Sequence, residues 1–197
     1  MTIVSEKPAS TAGNILQAAL HLIAERGYAA VSMRDIAVAV DIQASSIYNH
    51  FASKQDILFR LMTGHMEGLL LAWNGWRKKG NDTGERFDAF IRFHIHYHLH
   101  RPQEIFISYM ELRSLEPDNL AIVKRLRSQY EAILRKILID GKADCTVEDP
   151  AVATRALINM ITGLTAWYRS DGALSAEALE QIYVNMARRS VGLPTTQ

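Results

Sequence analysis

Apolar residues return every three to four positions along most of the chain. Period-two alternation bounded by turn residues is missing. This pattern predicts an all-α protein of about nine helices. Ile15, Leu16, Ala19, Leu22 and Ile23 form one face of a first helix that stops at Gly27. Ser32 followed by Asp35 is a capping-box pattern opening a second helix. A short third helix is expected near Ala44 to His50. Ser53 and Asp56 repeat the capping signature before a long striped helix from Lys54 to about Arg77. The polar run Lys78 to Gly84 reads as a loop. Five further helices are expected over roughly 85–100, 103–115, 118–140, 149–169 and 175–190. Pro102, Pro117, Gly141 and Asp171-Gly172 punctuate them, and Ser175 caps the last.

Three spans follow: a disordered leader over 1–9, a three-helix head over 10–52, and a helical body over 53–197. There are no internal repeats. Nor is there an apolar run approaching the ~20 residues that a membrane helix needs, and the N-terminal decapeptide lacks a signal-peptide core. A cytoplasmic protein with no membrane partner is expected. The single cysteine, Cys145, fits a reducing compartment and reads as an incidental loop thiol.

Charge does not announce nucleic acid. The net charge is +1. Within the first 60 residues Lys7, Arg26, Arg34, Lys54 and Arg60 are balanced by Glu6, Glu25, Asp35, Asp41 and Asp56. Spacing carries the case instead. Ile36 points inward, Ala37 is small where two helices must touch, and Val40 closes the first of them. Asp41 occupies the turn, Ile42 plugs the underside, and Ile47 anchors the second helix. These are the offsets of a helix-turn-helix, although an ordinary helical corner shares some of them.

The ordered set Ile15, Leu16, Ala18, Ala19, Gly27, Tyr28, Ser32, Ile36, Ala37, Ile47, Tyr48, His50, Phe51, Lys54 and Ile57 resembles the head of TetR-type regulators. Two positions depart from that family. Asp41 stands where the turn usually has Gly, and Gln43 stands where Ser usually precedes the recognition helix. The resemblance implies a recognition helix in the major groove, with Gln43, Ala44, Ser45 and Asn49 toward the bases. Ser32, Arg34, Tyr48, His50 and Lys54 would then meet the backbone. Local readings compete for some of these: Ser32 as a mere cap, Tyr48 as core, His50 as a solvated helix end. The implied partner is double-stranded operator DNA, bound by a homodimer on half-sites about one helical turn apart.

His94, His96, His98 and His100 alternate in the run HIHYHLH. On a helix, His94 and His98 join Phe87, Phe90, Ile91 and Tyr97 on the apolar arc, while His96 and His100 face outward with Arg92. The i, i+4 pair suggests three roles: two ligands of a metal, polar groups inside a ligand cavity, or paired core histidines. No third metal ligand is evident and no cofactor is expected.

Further on, Glu111-Leu112-Arg113-x-Leu115, Arg127-x-x-Tyr130-Glu131, Gly163, and Trp167-Tyr168-Arg169-x-Asp171-Gly172-x-Leu174-Ser175 resemble the fatty-acid and sterol-ring degradation repressors of the TetR family. Ser170 replaces their usual Pro. That resemblance implies an acyl-CoA thioester effector. Met62, Met66, Phe106, Tyr109, Met110, Met160 and Leu164 would line its tunnel, with His94, Tyr97, His98 and Trp167 beside them. Arg113, Arg155 and Arg169 would meet phosphate. Plain core packing is the competing reading of the Met and aromatic stripe.

Ile158, Ile161, Thr165 and Tyr168, then Leu179, Ile182, Tyr183 and Met186, suit a four-helix dimer face. Burial inside one protomer is the other reading. Three function classes remain: a ligand-responsive repressor, a metal-sensing regulator using His94 and His98, and a small helical enzyme. The last has no nucleophile–base or acid–base motif behind it.

Overall fold

The computed structural model describes residues 10–76 and 82–195, so the expected leader over 1–9 and most of the Lys78 to Gly84 loop lie outside the described residues. Within them the chain forms nine α-helices and no strand: α1 (Thr11–Arg26), α2 (Met33–Ala39), α3 (Ala44–Ile47), α4 (Lys54–Trp76), α5 (Thr83–Leu99), α6 (Pro102–Met110), α7 (Pro117–Asp140), α8 (Pro150–Thr162) and α9 (Ala176–Ser190).

Local chemistry explains the boundaries. Ser10, Ser32, Asp149 and Ser175 each accept a backbone N–H from the first turn that follows. Ser32 and Asp35 form the full capping box. Pro102, Pro117 and Pro150 open α6, α7 and α8, where a missing N–H costs nothing. Gly27 ends α1 at φ +81°, a conformation open to glycine.

Three expected boundaries shift. The third helix is regular only to Ile47 and continues to His50 as hydrogen-bonded turns. The sixth stops at Met110, and a 3-10 turn over Leu112–Ser114 follows. The eighth stops at Thr162 and tightens into a 3-10 turn over Gly163–Ala166, so it does not reach 169. Gly163 is a poor helix former there, and the Thr165 hydroxyl bonds the Thr162 carbonyl.

Two apolar clusters hold the chain. One joins α1 to α3 with the first half of α4, and it also takes in Ile107, Leu115 and Val123. The head is therefore packed into the body through shared core. The other cluster centres on α5, with Phe87, Phe90 and Ile91 fully buried among α4, α7, α8 and α9. Arg92 reaches Glu180 and Gln181, and Arg188 reaches Asp88, so α5 and α9 are also pinned by ion pairs.

Candidate functional site

The head presents a compact reading surface. Ile36, Ala37 and Ile47 are buried, and Ile42 is half-buried beneath them. Asp41 takes φ +54°, the left-handed region that Asp tolerates better than most residues. This turn carries α3 outward. Gln43, Ser45, Tyr48, Asn49 and His50 are exposed, and Ala44 is half-buried. Arg34 is exposed on α2. Tyr48 is not core: it is 56% exposed. Ser32 carries out its capping role, with its hydroxyl on the Asp35 carboxylate.

Lys54 is a correction. Its ammonium donates to the carbonyls of Tyr28 at 2.8 Å and Val31 at 2.6 Å, and it lies 4.2 Å from the centre of the Tyr28 ring. Two of its three donors close the α1–α2 loop, so the side chain is a clamp within the head instead of a free phosphate contact.

Two adjoining spaces lie among the described residues of the body and its junction with the head. The larger is a groove of about 820 Å³ between the head and the body. His21, Ala24 and Glu25 of α1 form one wall; Ile105, Phe106, Tyr109 and Met110 of α6 form another; Asn159, Thr162, Thr165 and Ala166 complete it. The smaller is an internal cleft of about 40 Å³ that shares Ile105 and Tyr109 with the groove. His65, Met66, His94, His98, Ser108, Arg127, Tyr130 and Glu131 line it.

His94 and His98 face inward, 1% and 3% exposed, with ring centres 4.0 Å apart. Both nitrogens of His94 are engaged, Nδ1 with the Tyr130 hydroxyl at 3.1 Å and Nε2 with the Thr162 hydroxyl at 2.9 Å. Thr162 Oγ1 in turn meets Tyr109 Oη at 3.3 Å. Burial holds His94 down to about 3, with His65 adding repulsion. Burial likewise holds His65 at about 4, helped by Arg101 and Arg127. All three buried histidines are therefore neutral at physiological pH. A metal on His94 would have to displace two hydroxyl partners. Among the described residues no group of three His, Cys, Asp or Glu could hold one.

The expected ligand set divides. Met66, His94 and His98 line the cleft, Met110 lines the groove, and Tyr109 lines both. Tyr97 stacks beside His65 and His98, with the Arg101 guanidinium 3.9 Å over its ring. Tyr97 lines neither space, and nor do four other residues of the set. Arg113 is exposed on its 3-10 turn, and Leu164 is fully buried core. Met160 packs against the α5 core, and Trp167 is 54% exposed beside Tyr183. The cation at the cleft is Arg127, whose guanidinium covers the Tyr109 ring and donates to the Ser108 carbonyl.

His65, Ser108, Tyr130 and Thr162 were missed as site residues. His65 was within reach, since Met62, His65, Met66 and Leu69 fall on one stripe of α4.

The expected dimer set also needs correcting. Ile161 and Leu179 are fully buried in the protomer and Ile158 nearly so, because that face of α8 and α9 packs on the body. Thr165, Tyr168 and Tyr183 are half-buried. Ile182 and Met186 stay exposed one turn apart on α9, with Val152 exposed on α8.

A three-helix head with an exposed recognition segment, on a helical body with an internal cavity, defines a ligand-responsive DNA-binding regulator. Residues 15–61 match the model of the bacterial regulatory proteins of the tetR family, and residues 80–191 match the tetracyclin repressor-like C-terminal domain. The chain belongs to the TetR family. It is a ligand-responsive transcriptional repressor of that type and not an enzyme.

The HTH-type transcriptional repressor KstR2 of Mycolicibacterium smegmatis is 25% identical over 182 residues, covering 90% of this chain and 89% of its own. A tetR-family regulatory protein from Rhodococcus RHA1 superposes with a TM-score of 0.87 at 23% identity, over 93% of this chain and 97% of its own. AibR, in complex with isovaleryl coenzyme A and operator DNA, superposes with a TM-score of 0.78 at 24% identity, over 87% and 95%. No helix among the described residues is long and apolar enough to cross a membrane.

Proposed function

We propose that this repressor leaves its operator when an acyl-CoA thioester enters the groove between α1 and α6. The observation that carries the reading is the placement of one groove wall on α1, a helix of the DNA-binding head. Filling the groove would then act on the head directly, besides any movement passed along α4. The groove lining is largely apolar and, among the described residues, contains no Lys or Arg. It suits an acyl chain, while the CoA phosphates would stay at its mouth. AibR supports the effector class, since its complex contains isovaleryl coenzyme A.

Base contact is assigned to Gln43, Ala44, Ser45 and Asn49, and backbone contact to Ser32, Arg34, Tyr48 and His50. Residues 10–52 would read DNA, and residues 53–197 would sense and dimerise. The site of action is the cytoplasm, where the operator is.

The test is fluorescence anisotropy of a labelled operator duplex titrated with the full-length dimer, with and without saturating octanoyl-CoA. The expected result is operator binding weakened roughly 5- to 150-fold, the usual range of coupling between two sites. Unchanged operator affinity under bound thioester would overturn the proposed coupling.

A further inference from the structure

The cleft contains polar atoms that the protein leaves without partners. His98 is 3% exposed, and neither of its ring nitrogens has a hydrogen-bond partner. Ser108 Oγ, on α6 across the same cleft, is equally buried and unpaired. Buried polar atoms are nearly always paired, and an orphan costs about 1–3 kcal/mol. One turn earlier on α5, His94 has both nitrogens satisfied. Unpaired nitrogen is therefore not general to the buried histidines of this helix. It belongs to the one whose neighbours are the rings of His65, His94 and Tyr97 and whose nitrogens meet no protein partner.

The cleft's 40 Å³ admits the tip of a molecule and not its bulk. The groove adjoins it across Ile105 and Tyr109, which line both spaces, and offers the rest of the volume. We propose that His98 and Ser108 form a subsite for an uncharged oxygen function, a ketone or hydroxyl, at the buried end of the effector whose apolar part fills the groove.

A neutral imidazole offers one N–H and one lone pair, and Ser108 adds a hydroxyl donor. Together they can donate twice to a carbonyl or exchange bonds with an alcohol. The surroundings disfavour a carboxylate. Burial keeps His98 and His65 neutral, and the Glu131 carboxylate lines the same cleft, opposing the charge of Arg127 there. A plain alkyl end would leave the same atoms orphaned, so the subsite discriminates against it.

This inference rests on the reading of the groove as an acyl site, and the experiment separates the two. Titration calorimetry on the full-length dimer compares octanoyl-CoA with its analogue carrying a ketone next to the terminal methyl. The ketone analogue is expected to bind wild type about tenfold more tightly. That preference should vanish in His98→Phe and shrink severalfold in Ser108→Ala. Equal affinities on wild type, which a cleft occupied only by water would also give, overturn the subsite and leave the thioester reading intact.

Failure of both thioesters to bind overturns the thioester reading alone. Methyl hexyl ketone then tests the subsite on wild type by nitrogen-15 histidine NMR, without depending on either variant folding. The His98 ring signals are expected to shift, and unmoved signals overturn the proposal.

Discussion

His65, His94 and His98 sit with their rings in or against the protein core, and their ionisation is set by that position. In the unfolded chain each takes a proton near pH 6.5. In the folded chain burial foremost, then repulsion from Arg101, Arg127 and one another, keeps His65 neutral to about 4, His94 to about 3, and His98 neutral well below its ordinary value. Below pH 6.5 the unfolded state therefore binds protons that the folded state refuses. The stability present above that pH is lost as pH falls toward 4. Each such histidine contributes a slope of about 1.4 kcal/mol per pH unit. Urea unfolding at pH 7, 6 and 5 should show the decline. His65→Leu should flatten it by about 1.4 kcal/mol per unit between pH 6 and 5. A slope unchanged by that substitution would contradict the neutral assignment.

At the scale of elements, α6 joins the groove to the head. Phe106, Tyr109 and Met110 line the groove. One residue on, Glu111 Oε1 accepts the Tyr28 N–H at 2.9 Å, and Oε2 accepts the Ser114 hydroxyl at 2.8 Å. Tyr28 belongs to the loop that Lys54 closes from the start of α4. Gln55 then ties α4 to the start of α7 through the Ser114 carbonyl and the Glu116 N–H. A shift of α6 would reach the α1–α2 loop through the Glu111 carboxylate, beside the direct packing of Ile107 and the Gln103–His21 bond on α1. Glu111→Ala should leave dimer mass unchanged and reduce the effect of octanoyl-CoA on operator affinity to below about threefold. Wild-type coupling in that variant would assign transmission to the direct α1–α6 packing or to α4.

For the whole molecule, the first 60 residues of the chain carry as many acids as bases, so one head alone has little phosphate attraction. Two linked heads gain through effective concentration. The surface suited to that link is the exposed pair Ile182 and Met186, one turn apart on α9. Charge placed there would be buried unpaired on association. Ile182→Asp should yield a folded monomer by analytical ultracentrifugation and weaken operator binding by about a hundredfold or more. A persisting dimer would move the interface elsewhere.

The amino-acid sequence by itself determined the helices and the head. Caps such as Ser32 with Asp35, N-terminal prolines, and the Ile36–Ala37–Ile47 spacing act over a few residues and are legible as patterns. The inward turn of His94 and His98 follows from the same periodicity. Tertiary structure decided what those patterns face. The apolar stripe carrying Ile161 and Leu179 serves the protomer's own core as readily as a partner's. Only packing shows that it is used internally while Ile182 and Met186 remain outside. Lys54 looks like a phosphate contact until the loop carbonyls of Tyr28 and Val31 are seen around it. The groove draws on α1, α6 and α8, which are distant in sequence, and His65 joins the other histidines only because α4 crosses α5. Such proximities depend on how whole helices cross, and no local pattern encodes them.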